Sequence, residues 1–159
     1  QLAWNLKAAT TAQASADPRA RGWAASLENN LGWTLFEAGD ANEALAHWQR
    51  ALTLREAAGK PEAIRIARWT VARGYRAVGR LDDAQRLQLA LVAETEQAKE
   101  PDGYVYEELA EIEVARGHAK EAAAWAAKAH ALLQADADFV ASEPARLARL
   151  AALAQGAPR

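Results

Sequence analysis

Apolar side chains recur three and four residues apart in successive stretches of the chain, which is the spacing of one face of an α-helix. Glycines divide these stretches, because Gly39, Gly79 and Gly117 each follow one helical pattern and precede another. These glycines are spaced 40 and then 38 residues apart, and a nearly constant interval of this length is typical of repeat proteins. The pattern therefore predicts three consecutive pairs of helices, each joined by a tight turn at its glycine.

The residues around the first glycine fit such a turn. Gly39 stands where the C-terminus of a helix requires a left-handed residue, and Asp40 is placed to cap the next helix. Glu43 then completes the spacing of a capping box. The other two turns keep an acid at the matching place, at Asp83 and Glu121, near the positive end of the second helix.

Small side chains stand at matched positions in both helices of each pair, where the close approach of two helices requires them. They are Gly32, Ala72 and Ala110 in the first helices and Ala44, Ala84 and Ala122 in the second helices. The sequence therefore predicts an all-α solenoid of antiparallel helix pairs.

Composition supports this fold class and limits the partners. Alanine fills 43 of the 159 positions, whereas valine, isoleucine and threonine together fill only 15, which argues against a β-sheet protein. The formal net charge is −2, so the molecule as a whole has no field that would gather nucleic acid or an anionic membrane, and neither partner is expected. Without cysteine the chain has no thiol nucleophile, disulfide or Cys-ligated zinc.

The repeats resemble the tetratricopeptide repeat family, whose pattern places small and aromatic residues at fixed positions of the two helices. The first repeat carries the match at Leu31, Gly32, Gly39, Ala44, Trp48 and Ala51. Its NNLGW and ALTLRE strings are similar to the longer-period repeats of kinesin light chains and many bacterial regulators. The later repeats depart from the pattern, with Gln88 and Ala126 at the position of the second-helix aromatic. The resemblance implies a right-handed superhelical stack that acts as a protein-interaction scaffold in a bacterial protein.

We expect one domain over residues 1–159, made of repeats and two flanking helices. Its predicted parts are the second helix of a truncated preceding repeat at 1–17, repeat 1 at 19–58, repeat 2 at 61–98, repeat 3 at 101–136 and a capping helix at 143–155. The chain begins without Met, so it is expected to be a fragment or a processed product. No signal segment is visible, which favours the cytoplasm.

Candidate catalytic chemistry is sparse. The histidines His47, His118 and His130 are scattered, with no HExxH motif or paired spacing for a metal. No serine stands in a nucleophile motif, and each glycine is isolated, so no phosphate-binding loop is expected. We therefore expect a protein that is not an enzyme and that needs no metal or cofactor.

Arginines form a stripe on the first helix of repeat 2. Arg65, Arg68, Arg73, Arg76 and Arg80 fall within an arc of about 140°, and Trp69 lies inside that arc. In the family that the repeats resemble, this face of the first helix lines a concave groove. Carried over to this chain, the resemblance implies a peptide-binding groove lined by Asn29, Trp33, Phe36, Trp69, Arg73, Arg76, Tyr104, Glu107 and Glu111, with Ser26, Ile66 and Val114 at further groove positions.

Such a groove has an aromatic entrance, a basic middle and an acidic far side. Arginine binds carboxylates bidentately and aromatic rings give rigid contact area, so an extended peptide with acidic and apolar side chains is the expected partner. The alternative is an internal network, in which Arg73 and Arg76 pair with Glu37, Glu107 and Glu111.

Other functions remain open from the sequence. The N-terminal helix around Leu2, Trp4 and Leu6 would support self-association into a homo-oligomer. The groove would also suit a peptide-sensing domain of a larger transcriptional regulator, and a closed pocket would suit a small-molecule or enzyme-accessory role. Trp48 and Trp125 lie on second helices and are expected in the core.

Overall fold

The structure, a computed structural model, describes residues 7–156 except 9 and 13. From Pro18 to Ala154 the described chain forms eight α-helices and no strand, which confirms the predicted all-α class. The helices are α1 (Pro18–Glu37), α2 (Ala41–Ala58), α3 (Pro61–Ala77), α4 (Leu81–Gln97), α5 (Gly103–Arg116), α6 (Ala119–Leu133), α7 (Ala137–Ser142) and α8 (Pro144–Ala154).

The chain divides into two compact units, Gln1–Arg80 and Leu81–Arg159, which we call the N-terminal and C-terminal units. Helices α1 to α3 belong to the N-terminal unit, where α2 packs against both α1 and α3. Helices α4 to α8 belong to the C-terminal unit, where α5 packs against α4 and α6, and α6 packs against α8. The grouping of the predicted repeats into one domain stays a prediction.

The turn between α1 and α2 has the predicted geometry. Gly39 adopts a left-handed φ of 89°, and the Asp40 side chain accepts a hydrogen bond from the backbone N–H of Glu43 at 3.2 Å. The two helices then close on a core in which Leu31, Ala44 and Trp48 are buried. The prediction that Trp48 belongs to the core is confirmed. Trp125, expected in the core as well, is only half-buried and stacks on the ring of Tyr106.

Helix α3 approaches α2 closely because its facing residue is a glycine. Pro61 lies at the first position of α3, where the missing N–H costs no hydrogen bond. A Cβ atom at Gly74 would lie 3.0 Å from side-chain carbons of both Leu45 and Trp48. A larger residue at this position would therefore push the two helices apart.

The C-terminal unit repeats this construction with its own caps. Helix α5 begins at Gly103, two residues after the predicted start of repeat 3, because Asp102 caps it by accepting from the N–H of Tyr104 at 2.8 Å. Gly117 ends α5 with a left-handed φ of 80°. Between α4 and α5, the fully buried Gln88 donates to the carbonyl of Val105 at 2.9 Å. An amide thus occupies a position where the family pattern has an aromatic residue.

The predicted capping helix at 143–155 corresponds to α8, which buries Leu150 and Leu153. The short helix α7 was not predicted, and it buries Phe139. Gly156 follows α8 with a left-handed φ of 73°, and it stands 39 residues after Gly117. Helix α8 therefore occupies the register of another first helix, one period after α5.

Leu2, Trp4 and Leu6, on which predicted self-association depends, lie outside the described residues. The described helices include none with the length and apolar character needed to cross a membrane. Within the same part of the chain, no group of three or more His, Asp or Glu side chains is placed to hold a metal ion.

Candidate functional site

Arg73, on α3, lies among three aromatic rings of the N-terminal unit. Its guanidinium carbon is 5.5 Å from the ring centroid of Trp33, 5.7 Å from that of Phe36 and 5.8 Å from that of Trp69. All three distances are within the range of cation–π attraction. We call Trp33, Phe36, Trp69 and Arg73 the arginine–aromatic cluster.

Helix geometry builds this cluster from two neighbouring faces. Trp33 and Phe36 are three residues apart on α1, and Trp69 and Arg73 are four apart on α3, so each pair lies on one side of its helix. The ring centroid of Trp33 is 6.0 Å from that of Phe36 and 6.4 Å from that of Trp69. Beneath them, the buried indole of Trp48 lies 5.0 Å from Trp33 and 5.4 Å from Phe36. The cluster is therefore anchored on the core while its own four side chains stay partly exposed.

Asn29 and Arg76 flank the cluster. The backbone carbonyl of Asn29 accepts a hydrogen bond from Nε1 of Trp48 at 3.2 Å, which fixes the indole under α1. Arg76 is half-buried at the end of α3. The other arginines of the stripe have different neighbours: Arg68 pairs with Glu56 at 3.4 Å, and Arg80 lies over the ring of Tyr75 at 4.4 Å. The predicted stripe thus divides into separate local environments, and Arg73 is the arginine that lies among three rings.

Tyr104, Glu107 and Glu111 of the predicted groove lie on α5 of the C-terminal unit, next to α8. Glu107 binds Arg146 through two hydrogen bonds, from Nε at 2.9 Å and from Nη2 at 2.5 Å. Glu111 binds Arg149 in the same way, at 2.5 and 2.8 Å. The hydrogen bond to Glu107 raises the pKa of Arg146, against a smaller opposing effect of burial.

The Arg146 guanidinium also contacts aromatic rings. Its central carbon is 5.1 Å from the Phe139 centroid and 5.8 Å from that of Tyr104, and the two rings meet edge to face at 5.6 Å. Despite these contacts, Tyr104 remains 39% exposed to solvent. Burial is the main cause that raises the pKa of the Tyr104 hydroxyl, and the Asp136 charge adds to it.

Sequence reasoning missed Arg146 and Arg149 as the partners of these acids. The internal-network alternative, in which Arg73 and Arg76 pair with Glu37, Glu107 and Glu111, stays a prediction. The structure gives Glu107 and Glu111 partners on α8 that the sequence analysis did not consider. A signal for the observed pairs was present, because they span 39 and 38 residues, the same interval as the repeat. Neighbouring first helices are one period apart, so charges at that interval meet.

Three acids are buried in the described part of the chain, and the contacts of two of them, Glu28 and Glu113, join helices. Glu28 on α1 accepts from Nε of Arg50 at 3.0 Å and lies 2.7 Å from Nδ1 of His47, both on α2. Glu113 on α5 lies 2.7 Å from Nδ1 of His118 and accepts from the Gln85 amide at 2.5 Å. These contacts tie adjacent helices together, and they explain why charged residues stand in otherwise apolar cores.

Comparison with known proteins identifies the repeats. Residues 23–93 match the model of the tetratricopeptide repeat family. Two crystal structures of a Podosopora anserina protein, described as a kinesin light chain with nearly identical TPR-like repeats, have the same fold over 84% of this chain. The first, a variant with one substitution, gives a TM-score of 0.61 at 20% identity, and the second gives 0.58 at 18%. This chain covers 66% of the length of the first and 68% of the second. No curated protein sequence matches the chain at a significant level.

The predicted resemblance is therefore confirmed: residues 23–93 match the tetratricopeptide repeat family, and the chain has a TPR-like all-α fold. Such repeats generally mediate protein–protein interaction, and the fold is typically a non-catalytic scaffold.

Proposed function

We propose that this protein is a non-enzymatic interaction scaffold that binds an extended peptide with acidic and apolar side chains on the faces of its first helices. The observation that carries the proposal is the arginine–aromatic cluster, in which one cation is held against three partly exposed rings. The contact residues in the N-terminal unit are Asn29, Trp33, Phe36, Trp69, Arg73 and Arg76.

The acidic character of the partner follows from the chemistry of Arg73. Guanidinium groups bind carboxylates through two parallel hydrogen bonds, and stacking on aromatic faces holds the plane of the group in one orientation. The sequence from Arg65 to Arg80 has five arginines and no acid, so the local potential favours an anion although the whole chain has a net charge of −2.

The apolar character of the partner follows from the rings. Trp33, Phe36 and Trp69 are partly exposed and are supported from below by Trp48, so they offer apolar area without a large loss of side-chain freedom on binding. Interface hot spots are enriched in tryptophan and arginine for this reason. An aliphatic or aromatic side chain of the peptide would cover the rings and exclude water from the salt bridge to Arg73.

In the C-terminal unit, Tyr104 is the residue most suited to meet a ligand, because it is the most exposed of the three groove residues predicted there. Glu107 and Glu111 would first have to exchange Arg146 and Arg149 for a cation of the ligand. We therefore assign these two acids a lesser share of the binding energy than the arginine–aromatic cluster.

A peptide selected from a random display library tests the proposal. Binding is titrated for the wild type, Trp69→Ala and Arg73→Ala at low and high salt, with Arg86→Ala as the control because that arginine is 76% exposed in the other unit. Loss of a hot-spot ring costs about 2 kcal/mol or more, a factor of roughly 30 in affinity. Loss of Arg73 lowers the association rate and flattens the salt dependence.

The selected peptides are also read for composition. Enrichment in acids next to apolar residues supports the proposal. Affinity undiminished in both Trp69→Ala and Arg73→Ala would place the binding surface elsewhere and reject it.

A further inference from the structure

A second concave feature of the N-terminal unit lies away from Arg73. It is a cleft of about 730 Å³ between the first half of α1, the last turns of α2 and the first turns of α3. This volume is within the range of small-molecule sites. Ser26 and Ile66 line it, and they stand seven residues before Trp33 and Arg73 in their helices, about two turns away.

The walls of the cleft combine apolar surface with positive charge. Leu54, Ile66 and several alanines supply the apolar part, and Ile66 is 52% exposed to solvent. Arg19, Arg55 and Lys60 are its charged residues, and all three are cationic. The cleft therefore offers contact to an apolar body and attraction to an anion at the same time.

Within the described part of the chain, no acidic side chain forms an ion pair with Arg19, Arg55 or Lys60. The hydrogen bond recorded for the Arg55 side chain, to the carbonyl of Ala63, is long at 3.4 Å. Burial lowers the pKa of Arg55, so its charge is poorly solvated where it stands. A half-buried cation with one long bond gains more from an incoming anion than a solvated surface cation does.

We infer that this cleft binds small amphipathic carboxylates, with the carboxylate at Arg55 and Lys60 and the apolar body along Leu54 and Ile66. A cationic ligand would be repelled by the three basic side chains, and a neutral apolar one would leave Arg55 without an anionic partner. A strongly hydrated polyanion such as inorganic phosphate gains nothing from the apolar wall. The inference does not rest on the proposed peptide function, because it uses none of the residues of the arginine–aromatic cluster.

Decanoate, used below its micellar concentration with the whole chain, is the probe. Calorimetry measures its affinity, and the methyl NMR signals of Leu54 and Ile66 report its place. The inference predicts saturable binding of decanoate and perturbed methyl signals of both Leu54 and Ile66. Octanoate should bind roughly tenfold more weakly, because it lacks two methylenes. Decanol and decylamine, which keep the chain and change the head group, bind at least about tenfold more weakly than decanoate.

Charge variants complete the test. Arg55→Gln lowers the affinity for decanoate at least about tenfold. Lys60→Gln lowers it to a lesser extent, and because Lys60 is exposed this change does not endanger folding. Arg86→Gln is the matched control and leaves the affinity unchanged. Arg73→Ala also leaves it unchanged, so this inference and the proposed peptide function can fail separately.

Three results would overturn the inference. They are equal affinity for decanol and decanoate, wild-type affinity in both Arg55→Gln and Lys60→Gln, and decanoate-induced shifts that spare Leu54 and Ile66. An acidic peptide that binds saturably and shifts the same methyls, while decanoate alone gives no saturable binding, would assign the cleft to the peptide instead.

Discussion

The indole of Trp48 on α2 lies directly against Gly32 on α1, so closely that a Cβ atom at Gly32 would overlap the five-membered part of the ring. This contact joins a large residue to the smallest one across the first helix pair. It also places Trp48 under Trp33 and Phe36, whose centroids are 5.0 and 5.4 Å away. The absence of one side chain on α1 thus sets the position of the rings that surround Arg73.

Gly32→Ala is expected to destabilise the protein. An alanine gains about 0.5–1 kcal/mol from helix propensity, but overpacking a buried contact costs about 1–3 kcal/mol, and the fully enclosed Trp48 has no space to retreat into. Denaturant unfolding measures the difference. Asn30→Ala, at an exposed position of the same helix, is the control and should be neutral or slightly stabilising. A Gly32→Ala variant more stable than the wild type would show that the helices can move apart freely.

Ala44→Leu and Ala84→Leu test the predicted small residues of the second helices. Both alanines are fully buried, so three extra carbons at either position must displace packed atoms, at about 1–3 kcal/mol. Ala90→Leu adds the same carbons at an exposed position of α4 and should leave the denaturant midpoint nearly unchanged. Equal midpoints for all three variants would contradict the helix-pair assignment.

The turns and helix pairs were predictable because they depend on local chemistry. Gly39, Gly79 and Gly117 all adopt the left-handed φ that the pattern required, at 89°, 79° and 80°. Periodicity of this kind is written in the sequence because each pair must solve the same packing problem. The same signal extends to Gly156, which completes a third interval of 39 residues and was overlooked.

Side-chain pairing was less predictable, because it depends on which helix of the fold lies beside a given face. One interpretation of the sequence paired Glu107 and Glu111 with Arg73 and Arg76, and neither interpretation considered Arg146 and Arg149 of α8, which bind the two acids. Likewise, the spacing of the arginines showed that they share one side of α3. The close association of Arg73 with three rings could not be predicted, because it depends on the positions of α1 and Trp48. The repeat period and the face of a helix on which a residue lies follow from nearby sequence. The partner of a charged side chain depends on the tertiary structure.

Arg146 and Arg149 provide a matched pair for measuring the effect of burial on a salt bridge. The Glu107 side chain is 13% exposed, so Arg146→Gln leaves a carboxylate with little water and should cost about 1–3 kcal/mol of stability. The Glu111–Arg149 pair is more exposed, at 20% and 45%, and Arg149→Gln should cost at most about 1 kcal/mol. Thermal and denaturant unfolding compare the two. Equal losses would mean that burial does not govern these pairs.

Tyr106 is expected to make stability fall at high pH. Its hydroxyl donates to Glu96 at 2.8 Å, and burial together with this bond raises the pKa of Tyr106 to about 12, above the ordinary value near 10. Since the folded state holds the proton more tightly, this contribution is complete below about pH 10 and is lost as the pH rises towards 12. Tyr106→Phe should therefore show a shallower decline of unfolding free energy between pH 9 and 11. Parallel curves for the two proteins would contradict the assignment.

Arg73→Lys separates the charge of the arginine–aromatic cluster from its geometry. Lysine keeps the positive charge but lacks the planar group that lies 5.5–5.8 Å from the three ring centroids and binds a carboxylate bidentately. Stopped-flow binding of a selected acidic peptide should show an association rate close to wild type, because long-range attraction depends on charge, and a dissociation rate raised at least about tenfold. Arg65→Lys, a change on the same helix outside the cluster, should leave both rates unaltered. If Arg73→Lys retains the wild-type dissociation rate, Arg73 acts as a simple charge and the stacked geometry has no part in recognition.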